Sequence, residues 1–108
     1  FATQLQTILT ICFSRGWSPI NIIVNTGYYV NNPWSLYVPP SPIPGDLTRY
    51  NSFISAAQSV AIANGTQFID PYAYMAANGG NSLLNLDGLH PNNSGCAAIA
   101  TYIESVIV

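Results

Sequence analysis

The sequence predicts an α/β fold, the C-terminal half of a larger three-layer α/β/α sandwich built on a parallel sheet. Three observations carry that expectation. The chain has 108 residues, room for one core and no linker. Its apolar patterning runs helix, strand, helix, strand, helix, and a strand–helix–strand order with a helix of that length implies a parallel βαβ unit. Two parallel strands do not close a domain, because parallel sheets are covered on both faces and carry more strands. The third observation is charge: 6% of residues are charged, where a soluble domain carries about a quarter. Such scarcity fits faces that pack against something outside the chain, and the expectation is a large apolar patch on the helix at 2–14 and the strand at 20–26.

Taken in order, residues 2–14 read as a helix, with Leu5, Ile8, Leu9 and Cys12 on one stripe and Gly16 as the stop. Residues 20–26, Ile-Asn-Ile-Ile-Val-Asn-Thr, read as a short, β-branched, buried strand. The stretch 27–45 is irregular, with Pro33, Pro39, Pro40, Pro42 and Pro44, and a loop of that length is usually a lid or a binding loop. Residues 46–63 are the clearest helix, opened by Asp46 as N-cap and closed by Asn64-Gly65. Its apolar face is Tyr50, Phe53, Ile54, Ala57, Val60 and Ala61. Residues 66–70 read as a second strand, and the stretch to 91 as a loop with a short helix at 72–77. The last helix spans 93–106, with Asn92, Asn93 or Ser94 as cap, and is apolar almost all round, which predicts burial on more than one side.

Composition narrows the function classes. The charged residues are Arg15, Arg49, Asp46, Asp70, Asp87 and Glu104, for a net charge of −2. A chain this apolar is not a disordered one. Without a basic footprint, nucleic acid is not an expected partner. No apolar run reaches the ~18 residues of a membrane helix. The chain opens at Phe1, already inside a periodic segment, so a preceding segment is expected. Cys12 and Cys96 either pair in an oxidising compartment or sit as two buried thiols. With two sequons, Asn64-Gly65-Thr66 and Asn92-Asn93-Ser94, they lean toward secretion.

The chemistry gathers at one place. In open α/β sheets the ligand lies beyond the carboxyl ends of the strands, here at the loops 27–45 and 71–91. The second loop holds the only histidine, in Asp87-Gly88-Leu89-His90-Pro91-Asn92. An aspartate three residues before a histidine, in a loop entering a helix, brings carboxylate and imidazole within reach. That is the orienting half of a hydrolytic triad: the carboxylate fixes the tautomer through Nδ1–H, and the other nitrogen takes a proton from a nucleophile.

Residues 87–100, Asp-Gly-Leu-His-Pro-Asn-Asn-Ser-Gly-Cys-Ala-Ala-Ile-Ala, resemble the last block of the SGNH/GDSL hydrolases, which supplies that family's catalytic Asp and His. Leu47-Thr48-Arg49-Tyr50-Asn51, the helix to Asn64-Gly65, Phe68-Ile69-Asp70 and Ile22-Ile23-Val24-Asn25-Thr26 extend the resemblance over nearly the whole chain. It implies a flavodoxin-like α/β/α sandwich, ester hydrolysis, Asp87 and His90 as catalytic residues, and an ester substrate: a small acyl ester, a lipid or an acetylated carbohydrate. The family's Gly-Asp-Ser block and oxyanion donors precede the matched region and are absent here. Gly80-Asn81-Ser82-Leu83 imitates Gly-Asp-Ser-Leu out of family order and reads as a loop. The nucleophile is therefore expected from an N-terminal half of the same domain or from a partner chain.

Each feature has a plainer reading. Asp87 could cap a helix and His90 could be a structural imidazole; the surrounding block favours catalysis. No cofactor is called for, and a metal held by Asp70, Asp87 and His90 lacks a second His and any Cys/His spacing. Asp70 reads as the end of a strand that caps the next turn. Tyr28, Tyr29 and Trp34, with Tyr37, either line a substrate pocket or anchor the first loop to the sheet. Arg15 and Arg49 read as surface or helix-end residues. Two alternatives stand beside the esterase: a non-catalytic carbohydrate-binding or structural remnant using the aromatic loop, and a site within this chain with Ser82 as nucleophile.

Overall fold

The computed structural model describes residues 1–31 and 46–107. Its elements are α1 (Ala2–Ser14), a 3₁₀ turn (Pro19–Asn21), β1 (Ile23–Asn25), α2 (Asp46–Ala63), β2 (Gln67–Ile69), α3 (Pro71–Ala77), a second 3₁₀ turn (Gly80–Leu83) and α4 (Asn93–Val106). The chain divides into two units, Phe1–Thr26 with Thr48–Ile69, and Gly27–Leu47 with Asp70–Val108.

This corrects the three-layer α/β/α sandwich. Among the described residues the protein is mostly helical, 63% helix with four α-helices, and the only sheet is a parallel pair. The reason lies in the strands. Pro19 starts a 3₁₀ turn that takes up Ile20 and Asn21, so only three residues of the β-branched run pair. β2 is equally short. Two strands of three residues form a patch beside helices, not the middle layer of a sandwich.

In the first unit, α1 turns Leu5, Leu9 and Phe13 inward, and Leu9 is 2% exposed. Leu9, Val24, Ala57 and Ala61 form its core, with Ile22, Val60 and Phe68 against them. β1 and β2 run parallel in the register Ile23↔Gln67, Val24↔Phe68, Asn25↔Ile69. Alternate side chains point to opposite faces, so Val24 and Phe68 share the core face and Ile23, 39% exposed, lies on the other. Both long helices end the same way. Gly16 and Gly65 take positive φ, and the next N–H reaches back to the helix: Trp17 to the Cys12 carbonyl and Thr66 to the Ala61 carbonyl, each at 3.1 Å. Gln6 and Asn64 exchange amide hydrogen bonds of 3.0 and 2.7 Å, tying α1 to the end of α2. On the helix and strand where an open apolar patch is expected, Ile8, Ile11, Ile20 and Ile23 are exposed while Leu9, Val24 and Thr26 are buried; Trp17 and Ile62 are exposed elsewhere in the unit.

In the second unit, Asp70 caps α3 by accepting from Ala73 N–H at 2.9 Å, the role the sequence assigns it. Met75, Leu83 and Leu84 form the core, with Tyr28, Tyr29, Ala98 and Ile99 packed on it. Tyr74 stacks on Tyr102 at 4.7 Å, and the Tyr102 hydroxyl accepts from Asp70 N–H. The composition of α4 predicts burial on more than one side, and the structure covers only one. Gly95, Ala98, Ile99, Tyr102, Ile103 and Val106 make that covered stripe, while Cys96, Ala97 and Ala100 are exposed. Alanine and cysteine are apolar yet small enough to stand in solvent at little cost, so composition overstates burial here. Cys12 and Cys96 are free thiols, the first half-buried and the second exposed. Among the described residues, no helix is long and apolar enough to cross a membrane.

Candidate acid–base site

The site is a short loop held at its neck. Leu83 and Leu84 are buried and leave the 3₁₀ turn in extended form. Leu84 then bridges antiparallel to Pro91. Asn85 N–H donates to the His90 carbonyl at 2.8 Å, and Asn92 N–H to the Leu83 carbonyl at 3.0 Å. The chain between them must reverse within a few residues. Gly88 does this at φ +67, with its N–H on the Asn85 carbonyl at 3.0 Å.

Asp87 completes the turn and holds the ring with one carboxylate. Its Oδ1 accepts from Leu89 N–H at 2.9 Å and His90 N–H at 3.0 Å. Its Oδ2 lies 2.7 Å from His90 Nδ1. Each Asp87 oxygen thus has its own partners, Oδ1 the turn amides and Oδ2 the imidazole, while the cap of α4 is Asn92 and not Asp87. The His90 side-chain bond, then the His90 and Leu89 backbone bonds, hold the Asp87 carboxyl down to about 2. Asp87 is thus ionised at neutral pH and can only accept hydrogen bonds. The proton between the two therefore sits on Nδ1, and in the neutral imidazole this arrangement puts the lone pair on Nε2. His90 is 62% exposed and Asp87 25%. Among the described residues, Nε2 makes no hydrogen bond. The arrangement can take a proton from a group arriving from outside and stabilise the resulting imidazolium.

The other candidate residues fall elsewhere. The Ser82 hydroxyl donates to the Gly79 carbonyl at 2.9 Å, and no serine of the described residues is hydrogen-bonded to His90. Tyr28 and Tyr29 are half-buried against Met75, Leu83 and Leu84, and the Tyr29 hydroxyl donates to Asn81 Oδ1 at 3.1 Å. Tyr29 also meets Tyr72 at 5.4 Å, and burial raises the Tyr72 hydroxyl above its ordinary value, with Tyr29 and Asp70 adding to it. Trp34 and Tyr37 lie outside the described residues. Arg15 stands exposed at the end of α1, and Arg49 is exposed on α2. Among the described residues, no three His, Cys, Asp or Glu side chains come together as a metal site.

The sequence names Asn92 as one candidate cap of α4 and misses that it and Gly95 also support the loop. Asn92 is the cap of α4, accepting from Gly95 N–H at 2.9 Å. Its amide also donates to the Ser82 and Leu84 carbonyls at 2.9 and 3.0 Å. Gly95 is buried against the Leu83 carbonyl, with no room for a Cβ. A Pro-Asn before a helix signals the cap; the bonds back to residues 82–84 leave no mark in sequence spacing. No family model, no curated protein and no solved structure matches the chain.

Proposed function

We propose that Asp87 and His90 are the acid–base half of a serine ester hydrolase of the SGNH/GDSL kind, whose nucleophilic serine and oxyanion donors lie outside these 108 residues. The chain is then the C-terminal part of that hydrolase, met by an N-terminal segment or a partner chain. The observation that supports this reading is the 2.7 Å contact between Asp87 Oδ2 and the Nδ1 of an exposed His90 side chain. The resemblance of residues 87–100 points the same way.

In this reading Nε2 takes the proton of the serine hydroxyl as its oxygen attacks the ester carbonyl. Asp87 stabilises the imidazolium without taking its proton. The imidazolium then protonates the departing alcohol, and water repeats the cycle on the acyl-enzyme. The substrate is a carboxylic ester: a small acyl ester, a lipid or an acetylated carbohydrate. Asn31 N–H donates to the Gly88 carbonyl at 3.0 Å, tying the first aromatic loop to the His90 loop. Tyr28 and Tyr29, packed on Met75, Leu83 and Leu84, anchor that loop, and Trp34 is proposed for the substrate side from its place in the sequence alone.

A serine-directed phosphonate tests the proposal on the intact protein. Labelling of a serine other than Ser82, slowed in His90→Ala, is the expected result. No labelling, or labelling at the same rate without His90, overturns it. Labelling of Ser82 moves the nucleophile into this chain and overturns the two-part site.

A further inference from the structure

We infer that Asn92 is the positioning residue of the His90 imidazole, acting through the backbone of the loop neck and not only as a helix cap. Three successive carbonyls leave the 3₁₀ turn, those of Ser82, Leu83 and Leu84, and all three end on Asn92. Its side-chain amide donates to the first and third at 2.9 and 3.0 Å, and its backbone N–H to the second at 3.0 Å. Both amide hydrogens are used, and Oδ1 takes Gly95 N–H at 2.9 Å. The Asn92 carbonyl accepts from Cys96 N–H at 2.9 Å.

The residue therefore joins three things: the buried Leu83-Leu84 edge of the core, the start of α4, and the strand that returns from the loop. His90 lies two positions upstream on that strand, with its carbonyl on Asn85 N–H. A side chain whose two amide hydrogens and oxygen are all engaged has few alternative arrangements, so it transmits a position rather than a range of positions. The Asp87–His90 bond spans three residues of a half-buried turn. Its geometry depends on where Pro91 and Asn92 pin the returning strand. Cap and clamp are separable in chemistry. Aspartate keeps an oxygen for Gly95 N–H but has no hydrogens for the Ser82 and Leu84 carbonyls.

The inference rests on the acid–base reading only for its consequence in turnover; the placement of the ring is measurable without any activity. His90 is the sole histidine, so nitrogen-resolved NMR of the intact protein reports one imidazole from this chain. In alkaline solution the wild type is expected to show the proton on Nδ1. Asn92→Asp is expected to keep the helix signal in circular dichroism and to lose that Nδ1-protonated pattern, giving the averaged tautomers of a free ring. Asn92→Ala loses both the cap and the clamp, and serves as the reference for helix loss. An Asn92→Asp protein that keeps the wild-type Nδ1 signature overturns the inference. A variant that loses the signature in a protein without esterase activity leaves the inference standing and removes the proposed function instead.

Discussion

Replacing Gly95 with alanine strikes the packing on which the His90 loop stands. A Cβ at this position would lie 2.1 Å from the Leu83 carbonyl oxygen and 3.0 Å from Pro91 Cβ. Carbon–oxygen contacts settle at about 3.3–3.6 Å, so the Leu83 carbonyl must retreat by more than ~1 Å. That carbonyl is backbone and accepts from Asn92 N–H at 3.0 Å, so the retreat stretches the clamp as well. Overpacking of this kind costs about 1–3 kcal/mol. A weakened hydrogen bond adds about 1 kcal/mol. Alanine's better helix propensity offsets about 0.5–1 kcal/mol of this. The net expectation is a loss of roughly 2 kcal/mol, a fall in Tm of about 8–16 °C for a domain of this size. Thermal unfolding followed by circular dichroism measures it. A Gly95→Ala protein with an unchanged or raised Tm would refute the close approach of α4 to Leu83.

The Asp87 carboxyl is held at about 2 against an ordinary 3.8, so the unfolded state binds its proton more readily than the folded one. The stability it contributes is complete above the ordinary value and disappears as pH falls from 3.8 through about 2. Asp87→Asn removes this dependence, and its unfolding curve should approach the wild type's across that window; parallel curves count against the assignment. Both sequon asparagines already use their amides inside the fold: Asn64 on Gln6 Oε1 and the Val60 carbonyl, Asn92 on the Ser82 and Leu84 carbonyls. Folded protein from a glycosylating host should carry no glycan at either site by intact mass, and a folded, glycan-bearing Asn92 form would contradict the clamp.

How far the sequence can be read depends on distance along the chain. The helices 2–14, 46–63 and 93–106 have the boundaries expected of them, because their stop and start signals sit within a few residues: Gly16, Asn64-Gly65, Pro91-Asn92. The strands are shorter than their composition suggests, since Ile20 is β-branched but follows Pro19 into a turn. The expectation of a sandwich depends on those longer strands, and two three-residue strands do not support it. Asp87 and His90 are legible because the turn that joins them spans three residues. Asn92 is legible as a cap, not as a clamp: its partners at 82–84 are set by how Leu83 and Leu84 bury, and burial is a property of the folded unit. The two tyrosines of the first loop are half-buried in the core of the second unit, where an aromatic ring contributes more as an anchor than its loop position suggests.

The role proposed for His90 Nε2 is that of a general base oriented by Asp87. Turnover of a short-chain aryl ester by the intact protein tests it most directly, wild type against His90→Ala at matched folded concentration. A general base contributes about 10²–10⁴-fold, so kcat/KM should fall by at least that lower figure. Full activity in His90→Ala would contradict it.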